Sequence, residues 1–377
     1  MRERIKARSR DTDHNAQYKK VRTYIMTANE QDILHLDTLY AGRSPYHGEL
    51  HDHAATGGTS DGKRNLDHWK GALEAFRMDF AAILDHKQVR HMYLPEWDDT
   101  VFICGTEPGT TILDSGADDK VVHYNMIFDS PAPLEDLLAA FPEYEFEGGQ
   151  EGHFRYPKFT TARFCELIDA VKARGGFFVH PHPKQQMKSN NPLDYWFRDE
   201  TGLEVFYVDL RRKYTDDNYV LWTTLLDLGK RIWACAGGDK HACAVNTALT
   251  TIYAEEKKCA AYIPHLREGD FVCGPVGIRM AIGDMKMGGK CDFDGQCLVL
   301  SVSDFHCSVK NPEHEYRVDL LSDSGVVYSA PISCEEPAYF AIDTDKDVRF
   351  YRAEVFDTTA NLRIAIGNPI WNAALYD

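Results

Sequence analysis

Phe80-Ala81-Ala82-Ile83-Leu84-Asp85-His86 is a short apolar run that stops on an acid and a histidine. Ahead of it Leu66, Trp69, Leu73 and Phe76 recur at helical spacing, so the segment reads as an amphipathic helix feeding a buried strand. The pattern returns twice. Phe164, Leu167, Ile168 and Val171 form a helical face, Gly175-Gly176 closes it, and Phe177 to Val179 runs straight into His180. Leu221, Leu225 and Leu228 define a third helix closed by Gly229, after which Ile232 to Ala236 delivers Gly237-Gly238-Asp239-Lys240-His241. Val101 to Cys104 leading to Glu107, and Leu203 to Phe206 around Glu204, extend the series. Helices alternating with strands build parallel α/β folds, whose functional groups collect beyond the carboxyl ends of the strands. A barrel-like α/β domain over 46–268 is therefore predicted, with its chemistry at one mouth.

Outside that region the texture changes. Residues 1–45 read as a helical N-terminal extension, with Ile33, Leu34, Leu36 and Leu39 leading to a turn at Gly42. From 269 to 377 short alternating segments take over: Leu298 to Val302, Tyr316 to Leu320 and Val348 to Val355, with the turn Asp323-Ser324-Gly325 between Leu321 and Val326. That stretch predicts an antiparallel β-sandwich domain.

Bulk properties narrow the function. A chain of 377 residues exceeds one typical domain, and 44% hydrophobic residues supply ample surface to bury. The formal charge of −16 opposes stable association with nucleic acid or an anionic membrane. Met1 to Arg10 is polar and basic with no apolar core behind it, and no run approaches spanning length, so a cytoplasmic protein without a membrane partner is expected. The ten cysteines are scattered from Cys104 to Cys334 without CxxC spacing and read as structural thiols.

The strongest chemical signal is Glu49-Leu50-His51-Asp52-His53, followed by Thr59-Ser60-Asp61-Gly62. Alternate residues of an extended strand face the same way, so His51 and His53 are able to present two imidazoles to one ion. Alone the pair reads equally well as ordinary polar strand residues. The acids and histidines at the later strand ends change that weighing.

In the order His51/His53, Ser60-Asp61-Gly62, Asp85-His86, Glu107, His123, His180-Pro181 and Gly238-Asp239-Lys240-His241, the chain resembles the polymerase-and-histidinol-phosphatase (PHP) superfamily over about 46 to 265. Ser44-Pro45-Tyr46-His47-Gly48-Glu49-Leu50, Gly274-Pro275 and Gly367-Asn368-Pro369-Ile370-Trp371 further resemble its carbaryl-hydrolase-like (CehA/McbA) branch. The resemblance implies a distorted TIM-like barrel holding two or three divalent ions. His51, His53, Glu107 and Asp239 would take the first, Glu107, His123 and His180 the second, and Asp61, His86 and His241 a third. Three residues more than the family's usual spacing separate the first histidines from Asp61, so occupancy of the third position stays open. Mixed nitrogen and oxygen ligation suits zinc, manganese or iron.

His180 and His182 compete for one role. His180 is preferred as ligand because it directly follows the apolar run, which leaves His182 as a substrate contact or a solvated loop residue. Lys184 and Arg211 are the candidates to clamp a substrate, ahead of Lys87, Arg212 and Lys240. Asp85 reads as a group that orients a ligating ring, and Glu204 either as another or as a strand residue capped by solvent. His47, His68 and His91 read as surface or locally bonded residues, and His306 and His314 lack ligand spacing.

The function expected from this set is hydrolysis of a phosphoester in a small molecule by a metal-bound water. Ester, amide or carbamate hydrolysis on the same centre is the first alternative, and a catalytically idle metal-binding scaffold the second. No Gly-x-Ser-x-Gly elbow competes. Homo-oligomerisation is left open by the sequence.

Overall fold

The structure, a computed structural model, describes residues 26–114, 121–144, 157–186, 197–211, 213–243 and 247–376. Residues 1–25 of the expected N-terminal extension, and Arg212, lie outside them. Seven strands frame the site. β1 (Ser44–Asp52), β2 (Phe80–Ile83) and β3 (Phe102–Thr106) are parallel neighbours. β4 (Asn125–Phe128) runs antiparallel to β3 and to β5 (Phe177–His180), and β5, β6 (Thr201–Tyr207) and β7 (Ile232–Gly237) are parallel again. The reversal at β4 was not legible as a helix–strand unit. Between Glu107 and β4 lie 109–112 and 121–123, two strands of a small sheet that 158–159 completes.

The two ends of the row meet. Asp239 N–H donates to the His51 carbonyl at 2.7 Å, His53 N–H donates to the Lys240 carbonyl at 2.9 Å, and Asp52 bridges Lys240 in parallel. This closes the strands into an irregular barrel. The distortion originates in β1, whose first half pairs antiparallel with β8 (Thr250–Ala254), leaving only its last residues to close the ring.

Each helix buries one face, as its apolar spacing requires. α1 (Glu30–Leu39) starts at Asn29, whose side chain accepts from the N–H groups of Gln31 and Asp32, and it buries Leu36 while Leu34 stays exposed. α2 (Leu66–Phe76) buries Leu66, Trp69 and Leu73 and is capped by Asn65. α3 (Thr161–Ala173) buries Phe164, Leu167, Ile168 and Val171, and Gly175 at φ 78° ends it. α4 (Lys213–Asp227) buries Leu221 and Leu225, whereas Leu228 falls beyond its last turn and faces solvent.

The C-terminal region is rich in strands and continuous with the barrel sheet. β9 (Phe271–Cys273) joins β8 to β16 (Leu362–Gly367), and the sheet continues through β15 (Phe350–Asp357) and β12 (Tyr316–Ser322) to β13 (Gly325–Ile332). A second sheet contains β10 (Gly277–Ile282), β11 (Cys297–Ser303) and β14 (Ala338–Asp343), with Met26–Thr27 and Met285–Lys286 at its edges. Tyr219 of α4 ties barrel to strands: its hydroxyl donates to Glu354 at 2.7 Å, and the Arg363 guanidinium stands 3.5 Å over its ring. All ten cysteines are free thiols. No helix among the described residues is long and apolar enough to cross a membrane.

Candidate metal centre

Glu107 lies just past β3, its N–H donating to the Leu84 carbonyl at 3.0 Å, and its carboxylate is 1% exposed. Oε2 faces His51 Nε2, His53 Nε2 and His86 Nδ1, each at 3.2 Å. Oε1 faces His123 Nδ1 and His182 Nε2, each at 3.1 Å. Each oxygen of one buried carboxylate therefore has its own set of rings. Asp239 Oδ1 lies 3.2 Å from His53 Nε2 and 3.5 Å from His51 Nε2. Half-exposed Asp61 sits 3.6 Å from His86 Nε2 and 2.9 Å from His241 Nε2. Three groups result: His51, His53, Glu107 and Asp239; His86, Glu107 and His123; and His53, Asp61, His86 and His241, the ligand atoms of each within 4.8 Å of one another.

Local structure explains this convergence. The two-residue period of β1 sends His51 and, just past its end, His53 to one side. Glu204 of β6 fixes the His51 ring, with Oε1 3.0 Å from Nδ1, and its Oε2 accepts the His182 N–H at 2.7 Å. Gly237 makes room for that clamp, since a side chain there would run into Glu204 Oε1 and come within 2.8 Å of His51 Cβ. The Trp69 indole donates to the His53 carbonyl at 3.1 Å, tying α2 to the ligand strand. Gly62 lies flat on the Ala54 backbone, whose nitrogen a Cβ would meet at 2.6 Å, and this packing seats the Ser60-Asp61-Gly62 turn. His86 Nδ1 is 3.1 Å from the Glu107 carbonyl, and His241 Nδ1 is 3.1 Å from the Asp239 carbonyl. A ring that donates from Nδ1 to a carbonyl keeps its Nε2 lone pair for a ligand, and both of these Nε2 atoms face Asp61.

The electrostatics are those of closely opposed acids and imidazoles. Burial works against ionisation of Glu107, but His51, His123 and His86 outweigh it and hold the carboxyl well below the usual carboxylate range. Burial likewise opposes a charged His53, while its contacts with Asp239 and Glu107 carry it up to about 9. For Asp239, burial is overcome by His51 and His53, and its pKa is depressed. His51 Nε2 and Glu107 Oε2, buried and 3.2 Å apart, make no hydrogen bond among the described residues. Such buried polar atoms need a partner. Orphaned nitrogen and oxygen atoms aimed at one space fit divalent ions chemically, and the donor mix is consistent with a multinuclear site.

One expected ligand lies apart from the others. His182, not His180, comes to Glu107. His180 shares the face of Phe178 and packs on Phe178 and Phe197, at ring centroid distances of 5.0 and 4.9 Å, and burial pushes its imidazole down to about 3. The left-handed backbone at His182, φ 31°, breaks the strand alternation and swings the next ring into the site. The other ligands expected from sequence, His51, His53, Asp61, His86, Glu107, His123, Asp239 and His241, lie together in the three groups.

The remaining candidates belong to none of the three ligand groups. Among the described residues Asp85 accepts from Ala54 N–H at 2.8 Å and from the Thr56 hydroxyl, and pairs with buried His91 at 3.4 Å, so it secures the loop after His53. His47 and His68 contact Thr251 and Asn65, His306 contacts Ser308, and His314 pairs with Asp357. Lys184 is the second residue of the short helix Pro183–Gln186, with its N–H on Asn218 Oδ1 at 3.2 Å, and Arg211 is exposed. Tyr207 was missed by sequence reasoning although its hydroxyl donates to Asp239 Oδ2 at 2.8 Å. Alternation from Glu204 points Phe206 at the site, but the register of β6 shifts between Glu204 and Phe206. Four non-glycine residues after barrel strands have positive φ: Lys87 at 53°, His182 at 31°, Val208 at 66° and Asp239 at 46°.

No family profile and no curated protein matches the sequence. Among solved structures, the chain is similar to a protein from Bifidobacterium adolescentis assigned as a metal-dependent phosphoesterase, at 18% identity over 52% of this chain and 88% of that one, with a TM-score of 0.33. It is also similar to an amidohydrolase from Chromobacterium violaceum, at 15% identity over 52% and 87% of the two chains and a TM-score of 0.36. A third is the lesion-specific endonuclease of Pyrococcus furiosus, at 11% identity over 59% and 56% and a TM-score of 0.37.

Proposed function

We propose that this chain is a metal-dependent hydrolase of phosphoesters in small molecules, working in the cytoplasm. The observation that carries the reading is the division of Glu107, with Oε1 and Oε2 each 3.1 to 3.2 Å from separate imidazoles. A carboxylate shared between two ring sets is an arrangement that suits paired cations. In this reading His51, His53, Glu107 and Asp239 hold one ion, Glu107, His123 and His182 a second, and Asp61, His86 and His241 a third. Zinc, manganese or iron suits the ligands. When bound, paired ions supply an activated water and a clamp on the attacking and leaving oxygens.

The chain's own residues do the rest. Glu204 holds His51 and the His182 backbone in place, so neither ligand set reorganises when charge develops. Lys184 and Arg211 supply the positive charge that receives the phosphoryl oxygens. The C-terminal strands complete the fold as a sandwich.

The test is metal analysis of protein purified without added metal, followed by parallel assay of p-nitrophenyl phosphate, bis-p-nitrophenyl phosphate and p-nitrophenyl acetate. Bound transition metal with phosphoester turnover lost on chelation is the expected result. Turnover of the acetate alone would replace the phosphoester reading by the ester one, and tight metal without turnover of any of them would favour a scaffold.

A further inference from the structure

Tyr207 belongs to none of the three ligand groups, yet it is bonded to one of their members. Its hydroxyl donates to Asp239 Oδ2 at 2.8 Å, while Oδ1 of the same carboxylate faces His53 and His51 at 3.2 and 3.5 Å. The phenol is buried, and its ring packs against His182 at a centroid distance of 5.4 Å. Its backbone is constrained as well: Tyr207 N–H reaches Thr215 Oγ1 at 3.3 Å, and Val208 beyond it has φ 66°. The hydroxyl is thus delivered to Asp239 by a rigid ring at the end of a strand.

A carboxylate with one oxygen engaged by a donor offers a cation its other oxygen. Tetrahedral zinc takes one oxygen per carboxylate, whereas larger ions accept two and expand their coordination number. We infer that Tyr207 is a positioning residue that restricts Asp239 to single-oxygen ligation and so biases the first ligand group toward small, low-coordinate cations. This rests on the reading of the cluster as a metal centre.

The experiment measures zinc and manganese affinity of the full chain by competition with a chelator, for the wild type, Tyr207→Phe, Asp239→Asn and the double variant. Phenylalanine keeps the ring against His182 and removes only the donor. Zinc affinity is expected to fall about tenfold in Tyr207→Phe, the scale for partners of metal ligands, with a smaller loss for manganese and no further loss of zinc affinity in the Asp239→Asn background. The metal-free melting temperature should fall by only about 2 to 4 °C, the scale of one hydrogen bond. Zinc affinity within twofold of the wild type would overturn the inference, as would equal losses in both backgrounds, which would mark Tyr207 as packing alone. A wild type that binds no metal is a separate result and removes the metal-centre reading itself.

Discussion

At the scale of single residues, Glu107 concentrates most of the chemistry in one carboxylate. Glu107→Gln removes the charge and one acceptor while keeping the shape, so two ions should be lost together; metal analysis of the variant that returned the full wild-type stoichiometry would dismiss the bridge. The histidine pair on either side of Pro181 allows a sharper comparison. His182→Ala should weaken metal binding by roughly 100-fold, because even partners of ligands cost about 10- to 100-fold. His180→Ala should leave metal content intact and cost about 2 to 4 kcal/mol of stability, as a buried ring taken from between Phe178 and Phe197. Reversed outcomes in chelator competition and thermal melting would restore the assignment made from sequence. The two histidines exchange places relative to that assignment for a definable reason. An apolar run shows where a strand ends, but not that His182, two residues on, adopts φ 31° and turns its ring away from the side His180 takes.

At the scale of elements, the helix–strand units were legible because burial imposes a period on each, and Phe80, Phe177 and Ile232 begin strands where the apolar runs begin. The strand-end placement of Asp85-His86, Glu107 and Asp239 was legible for the same reason. What periodicity does not encode is a register shift. Those between Glu49 and Asp52 and between Glu204 and Phe206 are set by pairing with neighbours, and the second of them brought Tyr207 into the site unannounced. Close approach between elements is equally silent in sequence. Gly237→Ala should therefore misplace Glu204 and the His51 ring together, costing about 1 to 3 kcal/mol and lowering zinc affinity in parallel. Normal melting and normal metal binding in that variant would show that the clamp tolerates displacement.

Across the whole molecule, the same contacts that gather ligands also link stability to pH. In the metal-free protein His53 is raised from 6.5 to about 9, so its contribution is complete below about 6.5 and disappears as the pH rises through about 9. Glu107 and Asp239 are depressed, so theirs is present above the ordinary carboxylate range and lost only in acid. Thermal melting of the metal-free chain should decline from pH 6.5 to 9, and metal affinity should rise over that window as cations displace the protons. A flat melting profile there would mean that His53 is not charged in the folded protein. The left-handed backbone at Lys87, His182, Val208 and Asp239 has an implication of its own. Lys87, His182 and Val208 each forgo about 1 to 2 kcal/mol that glycine would recover, and Asp239 less. The mouth of the barrel is thus built at the expense of robustness, and a sturdier relative of this chain is to be sought first among sequences that have surrendered its geometry.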